Sequence, residues 1–267
     1  MFFRPNDLFG DGAQAVTKTI AIAGKGGTGK TTVAALLADW LTRYGTVLAV
    51  DADPSSNLHL VLGMPLEWTV GDIREGMLQE VQSGTFRAGL SKQDYLEWRL
   101  NQALVEGNRL DLLAMGRPEG PGCYCAANNI LRSCLDRLQG QYDFVVMDNE
   151  AGMEHLSRQT TRDVNILLLV SDPSIRGITA AARMQELIRE LRTHVGRIAL
   201  IVNRVDGELP RAVSDAIAAA GLELLGTLPD HPPIRQYDAE GRPLVDLPED
   251  DPLRQRVIEL AGRLGLP

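Results

Sequence analysis

The sequence is short of several things, and each shortage narrows what the chain can be. It has three cysteines in 267 residues, too few for a disulfide framework, which leaves thiol or metal chemistry as their use. No apolar run approaches the length of a membrane span. The opening Met1-Phe2-Phe3-Arg4-Pro5-Asn6-Asp7 lacks the apolar core of a signal peptide, so a cytoplasmic location is expected. Basic charge is in deficit: 27 Lys and Arg stand against 35 Asp and Glu, a net charge of −8. Nonspecific attraction to nucleic acid or to an anionic membrane is therefore not expected. Internal repeats and low-complexity linkers are absent as well. What remains is 44% hydrophobic and 23% charged, ordinary for a chain that buries one large core.

Short apolar runs alternate with longer amphipathic stretches. Strands are expected at 19–23, 46–50, 109–115, 142–147, 165–170, 197–202 and 222–227. Helices are expected from 30, at 70–82, 92–105, 126–139, 176–193, 208–220 and 251–264, with Trp68 and Trp98 in polar surroundings. This alternation predicts an α/β fold: a single-domain, doubly wound, mainly parallel sheet with helices on both faces, binding its ligand at the carboxyl ends of the strands. Residues 1–16 read as an extension ahead of the first strand, and 17–267 as the domain.

The stretch Gly24-Lys25-Gly26-Gly27-Thr28-Gly29-Lys30-Thr31-Thr32 fits the phosphate-binding pattern G-x-x-x-x-G-K-[ST] between a strand and a helix. Its glycines let backbone N–H groups close around phosphate oxygens at a helix N-terminus. Lys30 is expected on the β/γ-phosphates and the Thr31 hydroxyl on Mg²⁺. With Lys25 inside the loop, the string resembles the deviant Walker A of the ParA, MinD and nitrogenase iron protein superfamily. That resemblance implies a lysine at 25 that crosses a dimer interface to the partner subunit's nucleotide.

Three strand ends carry further candidates. Asp51-Ala52-Asp53-Pro54-Ser55-Ser56-Asn57 resembles switch I of that superfamily. The resemblance assigns Asp53 to orienting the attacking water and Asn57 to the outer shell of Mg²⁺; Asp51 reads either as part of the site or as a cap on its strand. Asp148, ending an apolar strand, looks like a Walker B aspartate holding Mg²⁺ through water, with Gly152 letting switch II swing. Asn203-Arg204-Val205-Asp206 stands where the superfamily places its base-reading asparagine. It also resembles the N-K-x-D element of GTPases, so ATP is favoured with GTP as the alternative. Leu228-Pro229-Asp230 is expected to pack around the base.

Cys123-Tyr124-Cys125 places two thiols at i and i+2 in an expected extended segment before a helix. One such pair supplies two ligands, fewer than a closed zinc site needs; two copies across a dimer supply four, enough for Zn²⁺ or Ni²⁺. The segment follows one strand, and Asp148 is expected to end a strand beside it. Cys134 reads as a core residue.

Together with Asn149-Glu150-Ala151-Gly152-Met153-Glu154-His155-Leu156-Ser157-Arg158, these motifs resemble the CooC family over essentially residues 17–264. That family comprises ATPases that help insert nickel into carbon monoxide dehydrogenase. The resemblance implies a nucleotide-gated homodimer using ATP, Mg²⁺ and Ni²⁺ or Zn²⁺, with the apo dehydrogenase or a related nickel enzyme as client. Two other readings stand beside it. An iron–sulfur electron carrier would share a cluster between subunits, although its second cysteine would fall where this chain has His155. A ParA- or MinD-like positioning ATPase would need a basic face or a basic amphipathic helix.

Overall fold

The computed structural model describes residues 17–85, 99, 102–117, 124–150, 163–190 and 194–267. The proposed extension 1–16 lies outside these, as do Cys123, Gly152, His155 and most of the expected helix 92–105.

Among the described residues eight strands form one sheet: β1 Lys18–Ala23, β2 Val47–Ala52, β3 Leu104–Val105, β4 Leu110–Ala114, β5 Phe144–Asn149, β6 Asp163–Ser171, β7 His194–Val205 and β8 Leu224–Pro229. Their order is β3-β4-β2-β5-β1-β6-β7-β8. Every neighbouring pair is parallel except β3 with β4, which is antiparallel. Strands buried on both faces read as continuous apolar runs, and alternate residues here serve two cores. Ile20 and Ile22 join one cluster, Ala21 and Ala23 the other.

The first face is covered by helices α1 Lys30–Leu41 and α2 Leu58–Leu62 and, farther along the chain, by Pro232–Glu240 and Pro252–Arg263. The second is covered by α3 Val70–Gln82, α4 Tyr124–Leu138, α5 Ile175–Glu190 and α6 Arg211–Ala219. The remaining two are α7 (Pro232–Glu240) and α8 (Pro252–Arg263). α1 is packed deeply, with Val33, Leu36, Leu37, Trp40 and Leu41 all buried. Arg254 of α8 pairs with Asp39 of α1 and donates to the Val245 and Leu247 carbonyls, both at 3.0 Å. Removing either charge would strand the other in a low-dielectric environment.

The structure corrects four local expectations. Leu104–Val105 is not helical; it pairs with Leu112–Leu113 as an antiparallel edge, because β4 otherwise has no neighbour on that side. β4 does not lie beside β5: β2 stands between them, so the strand leading to the cysteine segment and the strand ending in Asp148 are not adjacent. α4 begins at Tyr124, so Cys125 is in its first turn rather than in an extended segment. Finally, α2 and α7 stand where the pattern predicts no helix, although Pro232-Pro233 at the start of α7 and Gly241 just after it are boundary signals. Cys134 is buried as expected, its Sγ donating to the Ile130 carbonyl, and burial pushes its thiol up to about 12.

Candidate functional site

The chain enters the middle of the sheet on β1 and returns to it on β5 and β6. That topology gathers the carboxyl ends of β1, β2 and β5 at one crevice, the place where open α/β sheets bind ligands.

The loop after β1 is built by close approach. An added Cβ on Gly24 would collide with the Val170 backbone carbonyl of β6, so only glycine lets the loop leave the sheet there. Gly29 holds φ at 93° as the cap of α1, a conformation that favours glycine, and its α-carbon lies against the Asn203 side chain. The Thr28 hydroxyl donates to the Lys25 carbonyl at 2.9 Å. Lys30 is buried, its ammonium 3.4 Å from the same carbonyl, while Lys25, Gly26 and Gly27 are exposed. The loop thus presents backbone and one buried cation toward the crevice.

Asp148 meets this loop from β5. The Thr31 hydroxyl donates to Asp148 Oδ2 at 2.6 Å, whereas Asp148 Oδ1 is buried with no hydrogen-bond partner. Burial pushes the carboxyl up to about 6; the Thr31 hydrogen bond and the Lys30 ammonium pull it down, and Asp53 pushes it up. A buried, unpaired hard oxygen beside a threonine hydroxyl fits Mg²⁺, which typically takes one or two protein oxygens and completes its shell with water and phosphate. Among the described residues no group of three His, Cys, Asp or Glu side chains could hold a metal by itself.

Asp51 lies opposite Asp148 in the β2–β5 register. Its Oδ1 accepts from the Asp53 N–H at 3.1 Å and its Oδ2 from the Leu58 N–H at 2.8 Å. Asp51 therefore braces both ends of the 53–57 loop. Burial pushes its carboxyl up to about 7, opposed by the Leu58 N–H and raised further by Asp148. Asp53 is half-buried, and its Oδ1 accepts from the Ser55 N–H at 2.8 Å. Asn57 caps α2 and is exposed, making no capping hydrogen bond with its side chain.

The far wall is formed by β7 and β8. A cavity of about 380 Å³ is lined by Gly29, Thr32, Asn203, Asp206, Pro229 and Asp230, among others. The structure thus brings the N-R-V-D segment and Leu228-Pro229-Asp230 to one pocket beside the phosphate loop. Asn203 does more than the sequence suggests: its Nδ2 donates to the Thr28 carbonyl at 2.8 Å and its Oδ1 accepts from the Arg204 N–H at 2.9 Å. It clamps the phosphate loop to β7, leaving one amide hydrogen uncommitted. Arg204 has φ of 59° where the β7–β8 register slips, a distortion that lets the chain make this turn. His231 also lines the pocket, and its Nε2 lies 2.8 Å from Asp251 Oδ2, the acid that caps α8. Asp251 before Pro252 is legible as a helix cap, but nothing in the sequence marks its contact with His231.

A strand, a glycine loop, a buried lysine and a threonine–aspartate pair beside a pocket make a nucleotide site, and comparison with known proteins agrees. The CobQ/CobB/MinD/ParA nucleotide binding domain matches residues 19–244. The chain belongs to this family.

An uncharacterized ATP-binding protein of Methanocaldococcus jannaschii is 44% identical over 246 residues, 92% of this chain and 97% of that one. The carbon monoxide dehydrogenase accessory protein CooC of Rhodospirillum rubrum is 32% identical over 245 residues, 85% of this chain and 89% of that one. Among solved structures, the septum site-determining protein MinD of Pyrococcus horikoshii, complexed with Mg-ADP, aligns with a TM-score of 0.66 at 25% identity, covering 93% of this chain and 96% of that one. The protein is thus a nucleotide-binding ATPase of the MinD/ParA kind, and ATP with Mg²⁺ fits its site. Among the described residues no helix is long and apolar enough to cross a membrane.

Proposed function

We propose that this MinD/ParA-family ATPase is a maturation factor. It works as a homodimer, binds Ni²⁺ or Zn²⁺ as cargo through Cys123 and Cys125 of two subunits, and assists nickel insertion into carbon monoxide dehydrogenase or a related nickel enzyme. The observation that carries this reading is the 32% identity to CooC across 85% of the chain. Residues 17–267 serve as the ATPase domain, in the cytoplasm.

Gly24 to Thr32 wrap the phosphates, with Lys30 against the β/γ-phosphates. Thr31 and Asp148 hold Mg²⁺, with Asn57 at its outer shell; the bound ion neutralises charge on the phosphoryl oxygens. Asp53 orients the attacking water, Asn203 steadies the loop and spends its free amide hydrogen on the base, and Lys25 reaches the partner subunit's nucleotide. ATP with Mg²⁺ is expected to convert the protein to a compact dimer. Static light scattering with Lys25→Ala checks this: an undiminished dimer and undiminished hydrolysis would remove Lys25 from the mechanism.

The MinD relationship favours a positioning ATPase as the second reading. Against its membrane form, α8 is packed onto the sheet through Leu253, Val257 and Leu260 instead of presenting a free amphipathic face.

Anaerobic metal analysis of the ATP-bound protein separates the readings. The expected result is about one Ni²⁺ or Zn²⁺ per two chains, since four thiolates complete one site. Cys123→Ser and Cys125→Ser are each expected to abolish it with nucleotide binding intact; Cys134→Ser, whose thiol is buried and protonated, is expected to keep it. Iron with sulfide would indicate an electron carrier. Retention of the ion in both cysteine variants would remove the metal site from the proposal.

A further inference from the structure

The 53–57 loop is held at a third point that the nucleotide chemistry does not explain. Ser56 has φ of 49°, one of three non-glycine residues at positive φ among the described residues. Serine pays for that conformation where glycine would not, and such strain persists only where the surroundings impose it. Here they do. The Ser56 N–H donates to the Asp53 carbonyl at 3.0 Å, and its own carbonyl lies 2.6 Å from His59 Nδ1. Its buried hydroxyl accepts from the Gly116 N–H at 3.1 Å.

Gly116 is itself closely packed. It has φ of 68°, and an added Cβ would collide with Thr69, the residue that caps α3. The backbone beside it is knitted to both neighbours: the Met115 N–H donates to the Asp51 carbonyl and the Gly71 N–H to the Met115 carbonyl, each at 2.8 Å. The end of β4 and the start of α3 are therefore tied to each other and to β2 by backbone hydrogen bonds. Asp51 braces the two ends of the loop, at Asp53 and Leu58. The Ser56 hydroxyl ties its interior to the Gly116 N–H at the end of β4.

We infer that Ser56 is a positioning residue for ATP hydrolysis, holding the Asp53 carboxylate in place through the hydrogen bond from Gly116. This rests on the reading of Asp53 as the residue that orients the attacking water. Phosphoryl transfer depends chiefly on positioning, and a displacement of about 1 Å costs on the order of 10²-fold in rate. Ser56 touches neither phosphate nor metal in this account, so its loss slows turnover without weakening ATP binding.

The test is steady-state hydrolysis and ATP affinity for Ser56→Ala, Ser56→Gly, Asp53→Ala and the double variant Ser56→Ala/Asp53→Ala. Ser56→Ala is expected to lower kcat by about 10- to 100-fold with the ATP Kd essentially unchanged. Ser56→Gly, which relaxes the backbone but lacks the hydroxyl, is expected to show the same loss while melting no lower than Ser56→Ala. In the Asp53→Ala background, Ser56→Ala is expected to cost nothing further, since it acts through Asp53. Wild-type turnover in Ser56→Gly would overturn the inference, because backbone geometry alone would then suffice. Undiminished turnover in Ser56→Ala, with Asp53→Ala inactive, would overturn it while leaving Asp53 in its role. Full activity in Asp53→Ala would remove Asp53 itself, and with it any positioning by Ser56.

Discussion

Asp53→Ala is expected to bind ATP as the natural protein does and to lose turnover by about 10²- to 10⁴-fold, the usual contribution of a group that organises proton and water at a reacting centre. Its carboxylate is half-buried at the mouth of the crevice, and its charge is felt by both Asp51 and Asp148. Removing it takes a negative charge away from a site that receives a polyanion, so ground-state binding has no reason to weaken. Lys30→Ala is the contrast. Lys30 is the buried cation beside Asp148, and its loss is expected to weaken ATP binding and turnover together. Equilibrium binding of a fluorescent ATP analogue, set against phosphate release, separates the two behaviours. Normal hydrolysis by Asp53→Ala would show that another group orients the water.

The second large effect is on folding. Gly24→Ala places a methyl group inside contact distance of the Val170 backbone carbonyl, an atom held in the β1–β6 ladder by neighbouring pairs such as Ala23 with Leu169. A flexible side chain could turn away, but a strand in the middle of the sheet cannot. The expected cost is about 3 kcal/mol, at the upper end for overpacking, or a fall in melting temperature of roughly 10 °C for a chain of this size. Gly27→Ala is the control: an added Cβ there meets nothing within 4 Å, so only the strain of its φ of 77° is added, about 1–2 kcal/mol. Thermal unfolding of the two variants without nucleotide checks the difference. Equal melting points would mean that β1 and β6 can part at the loop without loss.

Much of the candidate site is contiguous in the chain and is therefore legible in it. A phosphate loop is one uninterrupted stretch, because a single turn of backbone must follow one strand and open one helix. Asp53 and Asp148 could be placed at strand ends because apolar runs buried on both faces stop abruptly where the sheet ends. The pairing of Asp148 Oδ2 with the Thr31 hydroxyl follows from the same logic once β5 is set beside β1. The expected helix over 92–105 shows the limit of periodicity. Leu104 and Val105 satisfy a helical pattern equally well, and only the free edge of β4 makes them a strand.

The sequence by itself determined the α/β class, the doubly wound alternation and the place of the glycine loop between the first strand and the first helix, because each depends on local period and local turn chemistry. The tertiary structure alone decided the strand order, which puts β2 rather than β4 beside β5 and so sets Asp51 against Asp148. It also decided that Asn203 clamps the phosphate loop and that Ser56 is tied to Gly116. These contacts join segments far apart in the chain, and short polar side chains look alike in sequence whether they face water or a distant backbone group. Which they meet is settled only when the long crossovers have placed the strands.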